Sequence, residues 1–401
     1  MQRLGLLFLL SFGHLVTDMM SGALPVLLPV LKSEFSLSYT KLGVIILISN
    51  VISSVIQPVF GIWSDRKVIL WLLPTGCLVA ALGMAFVGFA PSYIFVLLAV
   101  AVSGIGAAAY HPEGSKQAFL ISGERKATAL SIYSVGGNIG HALGPMIAIA
   151  LLGFGGRQGM AWLLIIGIFA AFLLSHYLPV VQRFVVQNSN VQSKTDTSVR
   201  QNADSHVSKN VIKKGVLYGL FLLLMIIVLR SLVHIGLTNF IPLYVEEYLH
   251  GSKEYGGLLL TVFLLSGALG TIVGGPVADR IGRKKIMVLS FLLVVPLLWM
   301  FLFSSGIWTL LFAALSGFVL ISTFSVTVVY AQELIPHNVG LASGLTLGFA
   351  FGIGAIGGLA FGAAADVWGV PAVLKAICLL PIPAILLAIA LPNERKREVT
   401  A

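Results

Sequence analysis

Two pairs of ionisable residues, each four positions apart, stand inside long apolar runs: His14 with Asp18, and Arg230 with His234. Four-residue spacing puts both members on one face of a helix. A carboxylate beside an imidazole can share a proton. A guanidinium beside an imidazole, with Thr238 continuing the stripe, makes a cationic face suited to an anion. Charges near a bilayer centre cost at least about 2.5–3.5 kcal/mol each on insertion scales, so such groups point to function. His111 and Glu113 flank Pro112 in another apolar run, and Asn138 and His141 lie together in a fourth. Pro112 frees backbone groups that need partners or water. A structural role for each is also open: a histidine satisfied by a neighbouring hydroxyl, or Arg230 paired permanently with an acid. Glu333, Asp366 and Lys375 fall nearer the ends of apolar runs, where snorkelling costs little, and read as structural.

The elements that must position these groups follow from composition. The 401 residues are 58% hydrophobic and 10% charged, with a mean hydropathy of +0.99; soluble domains carry about 25% charged residues. Such a chain belongs in a bilayer. Crossing a hydrocarbon core of about 30 Å takes about 20 apolar residues. Twelve such runs are read, at 4–31, 42–63, 69–90, 93–120, 127–152, 161–181, 215–245, 256–278, 286–303, 307–334, 340–365 and 371–391. The first imitates a signal peptide, but no small-x-small cleavage site follows and the run continues past Asp18. Residues 182–214 are rich in Ser, Asn, Gln and Lys and read as a flexible linker. The expected fold is an all-α integral membrane protein of twelve transmembrane helices in two pseudo-symmetric six-helix bundles. Residues 1–181 form one bundle, 182–214 the linker, and 215–401 the second bundle with a short tail.

The halves repeat at an offset of about 214 residues. Gly43 falls on Gly257, Gly61 on Gly275, and Asp65-Arg66 on Asp279-Arg280. Lys and Arg decide orientation. Arg66, Lys67, Arg125, Lys126 and the cluster Arg280 to Lys285 collect on one side, against Lys32, Lys41, Arg157 and Lys253 on the other. Both termini and the linker are therefore expected in the cytoplasm. The net charge of +10 is explained by these loops, and with no soluble basic face a nucleic-acid partner is not expected.

Gly-x-x-x-Asp-Arg after the second and eighth runs, Gly61 to Arg66 and more fully Gly275 to Lys285, resembles the signature loop of the major facilitator superfamily. The resemblance implies that Asp65, Arg66, Gly275, Asp279 and Arg280 act in gating, where glycine admits a neighbouring helix and the charges latch the cytoplasmic side. Their bland role is topological anchoring by basic residues. Gly140-x-x-x-Gly144-Pro145 in the fifth run is similar to the element associated with exporters, although the usual trailing glycine pair is replaced around Ala148. Three further stretches, His14 to Asp18, Tyr110 to Ser115 and Tyr330 to Pro336, together with Gly136-Gly137-Asn138 and Ser343-Gly344-Leu345, resemble the fosmidomycin-resistance family of drug exporters. That resemblance implies a proton-driven efflux pump for a small phosphonate-like compound. It also implies that spans one, four, seven and ten surround a cavity.

On this reading Asp18, His14, Glu113 and His111 serve proton coupling, and Arg230, His234, His141, Asn138 and Tyr110 bind substrate. Phe12, Phe240 and Tyr244 are available as lining. The expected partners are a small anionic or zwitterionic solute, protons and the bilayer, with a monomer as the working unit. No cofactor is expected: Cys77 and Cys378 have no metal-ligand spacing, and no Gly-Lys-Ser/Thr nucleotide loop occurs. The first rival is a proton-coupled importer of a small metabolite. More remote are a membrane-embedded enzyme, which His111-Pro112-Glu113 fails to support for want of a paired metal histidine, and a ligand sensor on a transporter scaffold.

Overall fold

The computed structural model describes residues 2–66, 69–121, 126–203, 214–335 and 339–392. Among them every regular element is a helix, the form that satisfies all backbone hydrogen bonds within one segment in lipid. In chain order these are α1 (Gln2–Phe35), α2 (Tyr39–Val55), α3 (Gln57–Arg66), α4 (Leu72–Phe89), α5 (Tyr93–Ile121) and α6 (Lys126–Gly155). A 3-10 turn at Gly156–Ala161 leads into α7 (Trp162–Ala203), followed by α8 (Lys214–Glu247), α9 (Lys253–Ile281) and α10 (Arg283–Phe303). The last five are α11 (Ile307–Ile321), α12 (Thr323–Leu334), α13 (Val339–Trp368), α14 (Val370–Leu379) and α15 (Pro381–Ala390).

Among the described residues ten stretches are long and apolar enough to cross a bilayer; one of them, Ile132–Phe184, contains most of α6, the 3-10 turn and the start of α7. The Gly352–Trp368 part of α13 is a shorter apolar helix. Large apolar side chains point outward, Phe154 at 84%, Phe303 at 73% and Ile307 at 71% exposure. In water such a surface would aggregate, whereas against acyl chains it is the matching solvent.

Three expected spans are broken, each for a local reason. Pro58, at the start of α3, lacks the N–H that would continue the ladder from α2. Pro381 likewise starts α15. Between α11 and α12 no proline is needed: Ser322 Oγ donates to Val319 O at 2.8 Å and Thr323 Oγ1 to Leu320 O at 3.0 Å, offering the backbone a competing pattern. In the other direction, α7 runs past its expected end at Val181 to Ala203, into the segment read as linker. Nothing after Pro179 in that helix is Gly or Pro, so no residue stops it.

The chain packs as two compact units, residues 1–24 with 51–212, and residues 25–50 with 213–401. In the first, α4 and α5 meet backbone to backbone: a Cβ on Gly83 would strike Ser103 N, and one on Gly106 would strike Ala80 N. In the second, Gly270 and Gly274 of α9 lie equally close to the carbonyls of Phe318 and Ser322. Small residues of this kind let membrane helices gain dispersion contact where no hydrophobic drive exists. Residues 25–50 join the second unit through Gly43, which abuts Gly358 and Leu359, and through polar bonds. Asp366 accepts from Tyr39 N at 2.6 Å, Thr40 N at 2.8 Å and the Thr40 hydroxyl; Glu247 accepts from the Tyr39 hydroxyl and pairs with Lys32 at 3.4 Å.

Candidate functional site

In the first unit α1 carries Leu10, His14 and Asp18 on one face, and α5 and α6 close around it. His111 Nε2 lies 2.8 Å from Asp18 Oδ1, and His14 Nε2 lies 3.2 Å from Asp18 Oδ2. On its other side the His14 ring bonds through Nδ1 to the Tyr133 carbonyl at 2.8 Å and stacks on the Tyr133 ring at 4.2 Å.

This geometry dictates where protons go. A carbonyl only accepts, so His14 Nδ1 carries the hydrogen bound to Tyr133 O, and a neutral His14 would then present the lone pair of Nε2 to a carboxylate oxygen. Two lone pairs 3.2 Å apart repel. A proton therefore belongs in the His14–Asp18 gap, held either as imidazolium beside carboxylate or as carboxylic acid beside imidazole. In both arrangements Oδ1 accepts from His111 Nε2–H. The three side chains remain partly exposed, at 13%, 21% and 25% for His14, Asp18 and His111, so a proton can be exchanged.

Gly137 of α6 completes the site. A Cβ there would lie 2.5 Å from His14 Nε2 and 2.6 Å from Asp18 Oδ2, so a side chain would evict the pair. Gly136 and Gly140, on the same helix, press against the carbonyls of Ser11 and Leu15 and bring the two helices to backbone contact. The sequence signals for Tyr133 and Gly137 are slight: one tyrosine, and one glycine inside a small-residue stretch.

Other sequence candidates are placed differently. Tyr110 is fully buried and its hydroxyl donates to Leu10 O at 2.5 Å, which leaves no surface for a substrate; it fixes α1 against α5. His141 is half-buried, with its backbone against Gly22 and its ring close enough to Asp18 to hydrogen-bond that residue's backbone, and Asn138 is exposed. Glu113 is not bonded to the Asp18 cluster. It is fully buried and accepts from Ser64 Oγ of α3 and from Gln117 Nε2 at 2.5 Å, while Lys116 donates to Ser64 O. This ties α5 to the helix that ends in the first signature loop. Asp65 and Arg66 end α3, and their side chains lie outside the described residues, as does Lys67.

In the second unit Arg230 is buried at 5% exposure, donates to Thr327 Oγ1 at 3.3 Å and lies 4.8 Å over the Phe324 ring. No carboxylate among the described residues pairs with it. His234, one turn along, stacks on Phe263 at 6.1 Å, and Thr238 Oγ1 is buried with no hydrogen-bond partner among the described residues. Among the described residues, then, this guanidinium rests on an aromatic face and a hydroxyl with no acid paired to it. Phe240 packs on Phe361 and belongs to the core.

The second signature loop is an ion-pair chain. Arg283 reaches Asp279 at 3.1 Å and Glu333 of α12 at 2.6 Å, while Lys284 donates to Leu391 O at 2.6 Å. Asp279 and Arg280 are exposed. A Cβ on Gly275 meets nothing within 4 Å; the tight approach falls one residue earlier, at Gly274.

These features agree with what the chain resembles. The sequence model of the Major Facilitator Superfamily matches residues 10–256 and 223–401. A Bacillus subtilis (strain 168) protein described as the uncharacterized MFS-type transporter YfnC is 36% identical over 391 residues, covering 98% of this chain and 93% of the relative. The fosmidomycin resistance protein of Escherichia coli (strain K12) is 34% identical over 394 residues, covering 98% and 94%. Among solved structures, a bacterial homologue of the human lysosomal transporter Spinster superposes with a TM-score of 0.77 at 14% identity, covering 97% of this chain and 96% of that one. The xylose transporter XylE of E. coli superposes with a TM-score of 0.76 at 14% identity, covering 99% and 98%. At that identity the structures speak for the fold alone. The chain is a multi-pass membrane transporter and not an enzyme: over nearly its whole length it belongs to the Major Facilitator Superfamily, among relatives of the fosmidomycin resistance protein.

Proposed function

We propose that this transporter exports a small anionic or zwitterionic compound, phosphonates among them, in exchange for protons. The observation that carries this is the His14–Asp18 gap, whose geometry calls for one proton and whose partial exposure lets that proton leave. Asp18 is the carrier, with His14 and His111 as its hydrogen-bond partners. Arg230, with Thr327 and Phe324 around it, holds the anion, and a planar guanidinium matches a phosphonate or carboxylate by paired hydrogen bonds. The name of the E. coli relative supports a phosphonate antibiotic as the first compound to test.

The same reading puts the protein in the cytoplasmic membrane of a bacterium, as a monomer with both termini inside. It counts twelve spans, with Ile132–Phe184 taken as two and Gly352–Trp368 as one. Proteoliposomes with an imposed pH gradient test the proposal. Uphill movement of fosmidomycin against the proton flow is the expected result. Movement with the proton flow would make the protein an importer, and indifference to the gradient would remove proton coupling.

A further inference from the structure

Three side chains that ligate metals meet in the first unit: His14 Nε2, an Asp18 carboxylate oxygen and His111 Nε2 all lie within 4.8 Å of one another. We infer that this cluster is also a binding site for a divalent transition metal, zinc in the first instance, which His14, Asp18 and His111 would ligate in the place otherwise held by a proton.

The donor set selects the metal. Two imidazoles and one carboxylate suit Zn²⁺, Co²⁺ or Ni²⁺, whereas Ca²⁺ and Mg²⁺ require more oxygen ligands. Three protein ligands with a fourth position open to water is the arrangement of an accessible zinc site. Zinc bonds of about 2.0–2.2 Å need the ligand atoms closer than the widest of the present separations. Rotation of one imidazole supplies that movement: among the described residues the His111 ring is hydrogen-bonded to Asp18 and otherwise only edged by the His14 and Tyr110 rings, while the ring of His14 is pinned.

The pin is the second observation. Metal-bound histidines characteristically donate their other ring N–H to a carbonyl or carboxylate, which fixes the tautomer and aims the free lone pair at the ion. His14 does this before any ion arrives, since Nδ1–H bonds to Tyr133 O at 2.8 Å and Nε2 faces Asp18. Gly137 adds no side chain to the face shared by His14 and Asp18, and the partial exposure of all three ligands gives an ion a way in. The other titratable groups near the cluster are Tyr110 on α5, Tyr133 and His141 on α6, and Cys77 on α4. None of them is a cation that would exclude the metal when His141 is neutral. The sequence alone conceals the site because His111 is far along the chain from His14 and Asp18 and shares no ligand spacing with them.

The test uses the full-length protein in detergent, purified without a histidine tag, and Co²⁺ as the probe. Tetrahedral or five-coordinate cobalt gives visible d–d bands far more intense, and at longer wavelength, than the weak band of octahedral aqueous cobalt. We expect such bands to saturate at one cobalt per chain and to be abolished by one equivalent of Zn²⁺. His14→Gln, Asp18→Asn and His111→Gln should each weaken cobalt binding by at least about tenfold, while His176→Gln, an exposed histidine elsewhere, should leave it unchanged. If Asp18→Asn does not fold, the two histidine variants decide. Absence of the bands at millimolar cobalt, or bands that survive all the cluster substitutions, overturns the metal site. The inference stands apart from proton coupling: uphill transport on a pH gradient without cobalt bands would refute the metal alone, and cobalt bands without such transport would refute the coupling alone.

Discussion

Gly137 faces Asp18 across a gap that excludes a methyl group: a Cβ on the glycine would lie 2.6 Å from Oδ2. Gly137→Ala should therefore push the carboxylate and the His14 ring out of register, at a cost of about 1–3 kcal/mol typical of overpacking. Gradient-driven transport should fall at least about tenfold on that strain, with thermal stability lowered. Gly153→Ala, where a Cβ meets nothing within 4 Å, is the matched control and should change neither. Flux in proteoliposomes and a melting curve on the same preparations check both. Normal flux in the Gly137 variant would mean that the pair tolerates displacement.

Asp18→Asn imitates a permanently protonated carboxyl group and cannot release its proton. It should still exchange substrate down a gradient but should not concentrate it, and the response to an imposed pH gradient should vanish. His14→Gln should retain part of the drive with a displaced pH optimum, since Gln can still donate to Tyr133 O but cannot hold the shared proton. Counterflow and gradient-driven accumulation measured side by side separate the two behaviours. An Asn variant that pumps uphill normally would move the proton site elsewhere.

Arg230→Ala should abolish anion binding, and Arg230→Lys should weaken it, because an ammonium keeps the charge and loses the planar fork. Thr327→Val removes the hydroxyl that receives Arg230 and should cost about 1 kcal/mol in binding, a several-fold effect. Titration of purified protein with a phosphonate reads all three. Unaltered affinity in Arg230→Ala would assign the residue to packing on Phe324.

Glu113→Gln should leave the pH-gradient dependence intact. The side chain is bonded to Ser64 and Gln117, not to Asp18, so its loss of charge weakens hydrogen bonds at the end of α3 and costs about 1–3 kcal/mol of stability. A lowered melting temperature with normal coupling is the expected result. Loss of coupling would bring Glu113 back as a proton carrier.

Hydropathy made the helical membrane fold legible, and the cost of charge in lipid singled out Asp18 and Arg230. What spacing reveals is limited to one helix. His14 with Asp18 could be read from an i, i+4 relation, but the bond from His111 to Asp18 depends on how α5 packs on α1. Glu113 shows the reverse: its closeness to His111 in sequence suggested a shared role, whereas it points to α3. Gly137 and the Tyr133 carbonyl escape sequence reasoning for a plainer reason. One contributes the absence of a side chain and the other a backbone atom, and neither has a residue type that announces chemistry. The helix breaks inside the runs 42–63 and 371–391 carry a proline signal, Pro58 and Pro381, that a hydropathy count passes over, while the break at Ser322 rests on side-chain-to-backbone bonds that any serine can make.

The glycines of α6 have a mechanical consequence. Gly136, Gly140 and Gly144 of α6 meet the backbone of Ser11, Leu15 and Gly22 of α1, and Gly137 among them leaves room for the His14 and Asp18 side chains. Along this seam the two helices are in direct backbone contact. Its register is held by polar pins, Ser11 Oγ on Ile132 O at 2.7 Å and His14 Nδ1 on Tyr133 O at 2.8 Å. His14, the partner of Asp18, is thus also a pin between the two helices, so a substitution there disturbs the seam as well as the pair.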